Sequence, residues 1–118
     1  MKIGQIRKVI DVTADDIREI LVGAFEGGSN YWASKVSVVD GDYKGGEYSS
    51  DVIGLGGELI IETTEGDKHK LTQVMMLDGI QRYVDDGGIH YPFASGNPDA
   101  QTYDIILQIA LFGKLIYG

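Results

Sequence analysis

The chain has 118 residues, the usual size of one domain that can bury a single hydrophobic core. Its net charge of −8 argues against a protein that binds nucleic-acid polymers through a basic face. The absence of cysteine excludes disulfides, thiol nucleophiles and cysteine-based metal sites. Because neither a signal peptide nor a membrane-length apolar run is visible, we expect a cytoplasmic protein without membrane contact.

The first elements predicted along the chain are a strand and a helix. Residues 5–12 alternate roughly and are rich in β-branched side chains, which predicts a strand. Thr13 has the position of a helix N-cap, and residues 17–25 carry an apolar stripe at helical spacing. One of the glycines at 27–28 is expected to end this helix in a left-handed conformation.

The middle of the chain predicts further strands. Residues 31–39 predict a strand that ends at the turn signal Asp40-Gly41. The glycine-rich stretch 41–57 predicts either a short edge strand or a loop. Residues 58–64 and 68–71 predict a hairpin around a Glu-Gly-Asp turn.

Two helices and an apolar tail are predicted for the remainder. Thr72 is the expected N-cap of the first of them, which should end at 86–88. Its predicted apolar stripe consists of Met76, Leu77, Ile80, Tyr83 and Val84. The second helix, 98–112, is apolar on most sides and should lie at the centre of the domain before Gly113 ends it. The apolar residues 115–117 are expected to dock on the core.

The order of these elements predicts the fold class. Residues 1–118 should form one compact α+β domain, with a mainly antiparallel sheet and about three helices packed on it. Neither a repeat nor a linker divides the chain. The apolar tail and the open strand edges favour a homo-oligomer.

The segment Glu-Gly-Gly-Ser-Asn-Tyr-Trp at 26–32 is the most informative candidate site. Two glycines free the backbone, and Asn30, Tyr31 and Trp32 then supply an amide and two aromatic rings. Such residues can line a recess that stacks on a base and hydrogen-bonds to it. The alternative is a helix end followed by a tryptophan of the core, and the sequence leaves both open.

Two further groups of residues are candidates for ligand contacts. Tyr43 and Lys44 lie in the glycine-rich stretch, which is either a lid over a ligand or a surface hairpin. Gln101, Asp104 and Gln108 form a polar stripe on the apolar last helix. This stripe is either solvated or, if buried, must find partners in a ligand or in a neighbouring subunit.

Cations and histidines complete the set of candidates. Lys35 and Lys44 are possible phosphate contacts, and Arg82 with His90 could hold a phosphate beside the turn between them, although all are more often surface groups. The two histidines lack the spacing of a zinc site, and the acidic pairs lack the calcium-loop pattern. The glycines at 54–57 match neither the dinucleotide fingerprint nor the P-loop. We therefore expect no metal and no cofactor.

Two blocks of the sequence resemble a known group of proteins. Residues 26–32 and 100–118, together with 65–72, resemble small uncharacterised proteins of bacteriophages and prophages. In those proteins the blocks read approximately Glu-Gly-Gly-x-x-Tyr-Trp and Gln-x-Ala-Leu-Phe-Gly-x-Ile-Val-Tyr-Gly. The resemblance spans most of the chain and implies a phage or prophage origin.

Small phage proteins often counter host immunity. The anti-Thoeris and anti-CBASS sponges, for example, sequester cyclic nucleotide or cyclic ADP-ribose signals without cleaving them. The likeness to these sponges is an analogy of size, origin and pocket chemistry.

The resulting hypothesis is a phage accessory protein, not an enzyme, that sequesters a nucleotide-derived immune signal in the host cytoplasm. Its predicted ligand-binding residues are Asn30, Tyr31, Trp32, Lys35, Tyr43, Lys44, Arg82, His90, Gln101 and Asp104. One alternative is an enzyme that cleaves such a signal, with His90 as general acid or base. The other is a structural or inhibitor module that binds a protein through residues 115–117.

Overall fold

The computed structural model of the chain describes residues 1–6, 9–86 and 100–118. Its helices are α1 (Ala14–Gly23), α2 (Ser49–Val52), α3 (Gln73–Asp85) and α4 (Ala100–Phe112). Its strands are β1 (Ala33–Val38), β2 (Leu59–Thr63) and β3 (Lys68–Leu71). A π-helical turn, Ala24–Gly28, extends α1, and a 3-10 turn, Val39–Gly41, follows β1. The fold is α+β with an antiparallel sheet, as predicted.

The sheet has the order β1-β2-β3, with β2 in the middle. Ile61 on β2 pairs with Val36 on β1 and with His69 on β3. Along β2 the side chains alternate between buried and half-buried positions, so one face of the sheet lies on the core. Gly66, with φ of 92°, forms the predicted turn between β2 and β3.

The strand predicted at 5–12 is not formed by its described residues, 5–6 and 9–12. Residues 1–6 and 9–13 have no strand conformation, and Ile3 and Ile6 are 95% and 100% exposed. β-Branched residues favour a pleated, half-buried surface, but a strand also needs a neighbouring strand with which to bond. The sequence of residues 5–12 supplies the β-branched side chains, but it does not supply the neighbouring strand.

Helix α1 begins as predicted and ends differently. The Thr13 hydroxyl accepts from the Asp16 amide at 3.1 Å, and the Asp16 carboxylate accepts from the Thr13 amide at 2.9 Å. The predicted left-handed glycine end is wrong, because the chain continues into the π-helical turn and Gly27 is extended with φ of 174°. Gly28 serves close packing instead, since a Cβ there would lie 2.3 Å from the Ala100 carbonyl oxygen.

The segment after β1 contains a turn and a short helix. Asp40 and Gly41 have φ of 56° and 65°, which confirms the predicted turn. The rest of the glycine-rich stretch forms loops around α2 and does not form the edge strand that was one alternative. Val52 and Ile53 are fully buried and attach this segment to the core.

Helix α3 follows the predicted N-cap. The Thr72 hydroxyl accepts from the Met75 amide at 3.3 Å, and Asp86 is the C-cap. Met76 and Ile80 are buried, whereas Leu77 is 41% exposed and does not belong to the buried stripe. Glycines 87 and 88, which were predicted to end the helix, lie outside the described residues.

Helix α4 lies at the centre of the fold, as its apolar composition predicts. It packs against α1, α3, β3 and the π-helical turn, and seven of its side chains are buried. Gly113 ends it with φ of 78°, as predicted, while the predicted start at Asn97-Pro98 lies outside the described residues. Within the chain segments that the structure describes, no helix is long and apolar enough to cross a membrane.

The apolar C-terminal tail docks only in part. Tyr117 packs against the core, in agreement with the prediction. Leu115 and Ile116 remain 53% and 46% exposed. The tail therefore covers part of the core with one ring and presents two aliphatic side chains outward.

Candidate functional site

The two sequence blocks meet at the buried carboxylate of Asp104. Its Oδ1 accepts from the Ser29 hydroxyl at 2.8 Å and from the Trp32 indole N–H at 2.7 Å. Its Oδ2 accepts from the Tyr31 hydroxyl at 2.6 Å and from the Gln108 amide at 3.1 Å. Asp104 is only 5% exposed, and four donors compensate for the loss of water around its charge.

Local backbone geometry brings three side chains of one short segment to this carboxylate. The Ser29 amide bonds to the Ala24 carbonyl at 2.8 Å and closes the π-helical turn. The Ser29 carbonyl then accepts from the amides of Trp32 and Ala33, so the chain turns sharply before β1. Asp104 faces this turn from the central helix, and Gln108 lies one helical turn further on the same face.

Gln108 fixes the backbone of the tail. Its Oε1 accepts from the amides of Ile116 and Tyr117 at 3.0 and 2.9 Å. Its Nε2 lies 3.1 Å from each of three acceptors, the Tyr117 carbonyl, the Tyr31 hydroxyl and Asp104 Oδ2, which share its two N–H groups. The Gln108 side chain is fully buried, and both its oxygen and its nitrogen have partners.

An aromatic stack lies beside this network. The Tyr117 ring is parallel to the Trp32 ring, with an interplanar angle of 3° and centroids 5.2 Å apart. Phe112 packs at 60° against Trp32, with centroids 5.4 Å apart, and makes a T-shaped contact with His69, with centroids 5.0 Å apart. Trp32 has no exposed surface. In this arrangement, its ring face is covered by the chain's own tail, so the predicted stacking of a base on Trp32 has no free face.

The phenol of Tyr31 has an altered acidity. Burial of its hydroxyl, and then the hydrogen bond and negative charge of Asp104, raise its pKa from 10.0 to about 12. The residue as a whole is 53% exposed, but its hydroxyl points inward to Asp104 and Gln108. Tyr31 is therefore a neutral donor at physiological pH with an exposed ring.

A second feature is a cleft of about 210 Å³ after β1. Its lining residues are Val39, Asp40, Asp42, Lys44, Gly56, Gly57 and Glu58. Lys44 Nζ lies 2.9 Å from the Asp42 carboxylate. The hydrogen bond between them lowers the pKa of Asp42 and raises that of Lys44. Three acidic residues against one paired lysine make this cleft a poor phosphate site.

The predicted ligand-binding residues do not form one site. Tyr31 precedes β1 and bonds to Asp104, whereas Lys44 follows β1 and lines the cleft beyond the other end of that strand. Tyr43, 40% exposed, belongs to the same distant loop as Lys44. Arg82 bonds to the Gly113 carbonyl at 3.2 Å and to Asp78 at 3.1 Å, so it caps the end of α4.

The remaining predicted residues are solvent-facing or undescribed. Asn30, Lys35 and Gln101 are exposed, and the polar stripe of α4 is thus solvated at one end and buried at the other. His90 lies outside the described residues, so the enzyme hypothesis that depends on it stays a prediction. Over residues 1–6, 9–86 and 100–118, no group of three or more acidic or histidine side chains could hold a metal ion.

Sequence reasoning missed Ser29 and Tyr117 as members of the network. The available signal was chemical: a buried indole N–H needs an acceptor, and Asp104 is the one acidic residue in the apolar stretch 100–112. The chain itself supplies hydrogen-bond partners to the buried part of the polar stripe. Comparison of the chain with protein-family models, curated proteins and solved structures found no match.

Proposed function

We propose that the protein is a non-catalytic interaction module that binds a partner protein through its tail surface, the exposed side chains of Tyr31, Leu115 and Ile116. One observation carries this proposal. The backbone of the tail is fixed by the fully buried Gln108, yet two large aliphatic side chains of that tail stay about half exposed.

The hydrogen-bond network supports a fixed conformation of the tail surface. A buried amide is costly unless all its polar atoms are bonded, and both Gln108 atoms are bonded to the tail or to its neighbours. Tyr31 belongs to the same network, because its hydroxyl donates to Asp104 and lies 3.3 Å from the Tyr117 carbonyl oxygen. Exposed apolar side chains on a preorganised backbone bind with a smaller loss of conformational entropy than those on a flexible tail.

The chemistry of the partner follows from these side chains and from charge. A tyrosine and two aliphatic residues suit an apolar pocket, and aromatic residues are enriched among the residues that dominate binding energy. The net charge of −8 favours encounter with a basic partner. The resemblance to phage proteins makes a bacterial host protein the class of partner to test first.

The test compares three forms of the protein as bait in a bacterial host extract. The double variant Leu115→Ser/Ile116→Ser should lose a protein that the wild type captures. Val74→Ser is the matched control, because Val74 is 76% exposed on α3 and outside the tail surface. With the captured protein purified, calorimetry should show binding weakened about 30-fold or more by the double variant. Equal capture by all three forms would reject the tail surface as the binding site.

Sequestration of a nucleotide-derived signal is the second candidate. Its support is the stack of Tyr117 on Trp32, because a base could replace the Tyr117 ring if the tail detached. The tail would then compete with the ligand, and Tyr117→Ala should bind more tightly than the wild type.

Depletion of cyclic dinucleotides, cyclic trinucleotides and cyclic ADP-ribose isomers from solution tests this candidate. A signal that disappears and returns intact when the protein is heated indicates sequestration, and one that returns altered indicates an enzyme. If neither the wild type nor Tyr117→Ala depletes any of them, the nucleotide hypothesis fails for this panel.

A further inference from the structure

The N-terminal arm, residues 1–6 and 9–10, is exposed except at its last residue, which is half-buried. Ile3, Ile6 and Val9 are 95%, 100% and 90% exposed, and the chain first packs against the core at Val12. Single exposed apolar residues are ordinary, but three in one short segment place an unusual amount of apolar side chain in solvent. The same segment has a strand-forming sequence without a partner strand among the described residues of its own chain.

The charge of this end of the chain is opposite to that of the rest. The first ten residues include Lys2, Arg7 and Lys8 and no acidic residue. The rest of the chain carries 7 basic and 18 acidic residues, a net charge of −11. A basic segment on an acidic body is complementary to the body of another copy.

The sheet offers an edge to which a strand can be added. Among the described strands, β1 and β3 each have a neighbour on one side only. Strand β3 has only four residues, and its Lys68 and Lys70 are paired with glutamates at 4.0 and 3.7 Å, so the edge offers no net negative charge to a basic segment. Strand β1 has six residues with Lys35 as its one charged residue, and the exposed Asp40 follows it. The greater length of β1 and the acidic side chain of Asp40 at its end therefore favour the edge of β1.

We infer that the N-terminal arm pairs as an added strand with the outer edge of β1 in a second copy of the chain. Main-chain hydrogen bonds would supply affinity, as in other cases of strand addition. They would also pair the edge of β1 that has no neighbour among the described strands. The partner is another copy of this protein, and the surface is separate from the tail surface. The inference thus stands or falls independently of the proposed function.

Sedimentation velocity of the full-length chain over a range of concentrations tests the inference. The wild type should self-associate. Ile6→Pro should raise the dissociation constant about tenfold or more, because proline lacks the donor that a ladder needs and its ring obstructs pairing. Ile6→Val is the matched control and should stay within about twofold of the wild type, because valine keeps both the amide and the strand preference.

Differences in folding stability should not affect this comparison of dissociation constants. Ile6 is fully exposed, so both variants should unfold at the same denaturant concentration as the wild type. A wild type that stays monomeric at every concentration would overturn the inference. So would an Ile6→Pro variant that associates as strongly as the wild type.

Removal of a lysine charge from each edge strand tests which edge the N-terminal arm binds. Lys35→Gln removes a cation from β1 and should tighten association about two- to threefold, while Lys68→Gln on β3 should have a smaller effect. The reverse order would overturn the assignment to β1. Association should weaken as salt is raised. Association that strengthens with salt and is lost in Leu115→Ser/Ile116→Ser would overturn the inference and assign the contact to the tail surface.

Discussion

At the scale of single residues, Asp104 determines how the segment before β1 is held. Ser29, Tyr31 and Trp32 each donate to its carboxylate, and their side chains are fixed together as a result. A carboxylate is suited to this role because it accepts on both oxygens and donates on neither. The tightly spaced polar motif in the sequence is thus accounted for by packing inside the chain.

Replacement of Asp104 by asparagine should destabilise the protein by about 2–4 kcal/mol, because the charge is lost and an amide donor would face the donors of Tyr31 and Gln108. Urea unfolding followed by tryptophan fluorescence measures this change. Gln101→Ala is the control on the same helix, where the side chain is exposed, and its effect should stay within about 0.5 kcal/mol. Equal effects at the two positions would contradict the role given to Asp104.

Tyr31 should make stability depend on alkaline pH. Because folding raises its pKa from 10.0 to about 12, the folded state favours the neutral phenol. Its contribution to the free energy of unfolding is fully present below pH 10 and is lost as pH rises from 10 to about 12. In Tyr31→Phe this loss should be absent, so the free energy of unfolding should fall less steeply over that range.

Urea unfolding of both forms at a series of alkaline pH values measures the difference in slope. Tyr103, whose pKa is also raised by burial, is present in both forms and cancels in the comparison. Parallel curves for the two forms would show that the Tyr31 hydroxyl titrates alike in the folded and unfolded states.

The residue scale also shows why the candidate site was only partly predictable. The sequence singled out Asn30, Tyr31 and Trp32 as ligand contacts, and the structure shows that two of them, Tyr31 and Trp32, bond to Asp104. A sequence shows that a tryptophan needs an acceptor, whereas only the fold shows that Asp104, 72 positions away, provides it. The burial of Gln108 likewise depends on how the tail returns along α4.

At the scale of elements, the sequence predicted helices and the central hairpin better than isolated strands. Periodicity and N-caps are local signals, and Thr13 and Thr72 begin their helices as predicted. The segment 5–12 has local strand preference, but pairing is a property of two segments. The same distinction applies at the end of α1, where the chain continues into a π-helical turn and Gly28 lies against Ala100, a contact that the local sequence does not reveal.

The crossing of α3 and α4 depends on the absence of a side chain at Gly79. A Cβ at this position would lie 2.7–2.9 Å from the Cβ, Cα and N atoms of Ala110. Gly79→Ala should therefore destabilise the protein by about 2 kcal/mol, although alanine gains about 1 kcal/mol in helix propensity. Val74→Ala, at an exposed position of the same helix, should change stability by less than about 0.5 kcal/mol. A stabilised Gly79→Ala variant would mean that the helices move apart easily.

At the scale of the whole molecule, fold class was predictable because element types and their order decide it. Alternating and helical patterns were sufficient for an α+β domain with an antiparallel sheet. The convergence of 26–32 with 104–117 was not predictable, since neither block contains a signal for the other's position. That convergence links the start of β1, the central helix and the tail into one unit.

Removal of one ring at the end of the chain tests this unit. Tyr117→Ala should shift Trp32 emission to longer wavelength, because water would reach an indole that is now fully covered. It should also cost about 2–3 kcal/mol through the lost ring contacts. Tyr117→Phe is the matched control, since it keeps the ring and the backbone bonds to Gln108, and it should retain the wild-type emission. Because Trp32 is the only tryptophan, the signal reports this position alone. Unchanged emission in Tyr117→Ala would mean that the rest of the core, and not the tail, shields the indole.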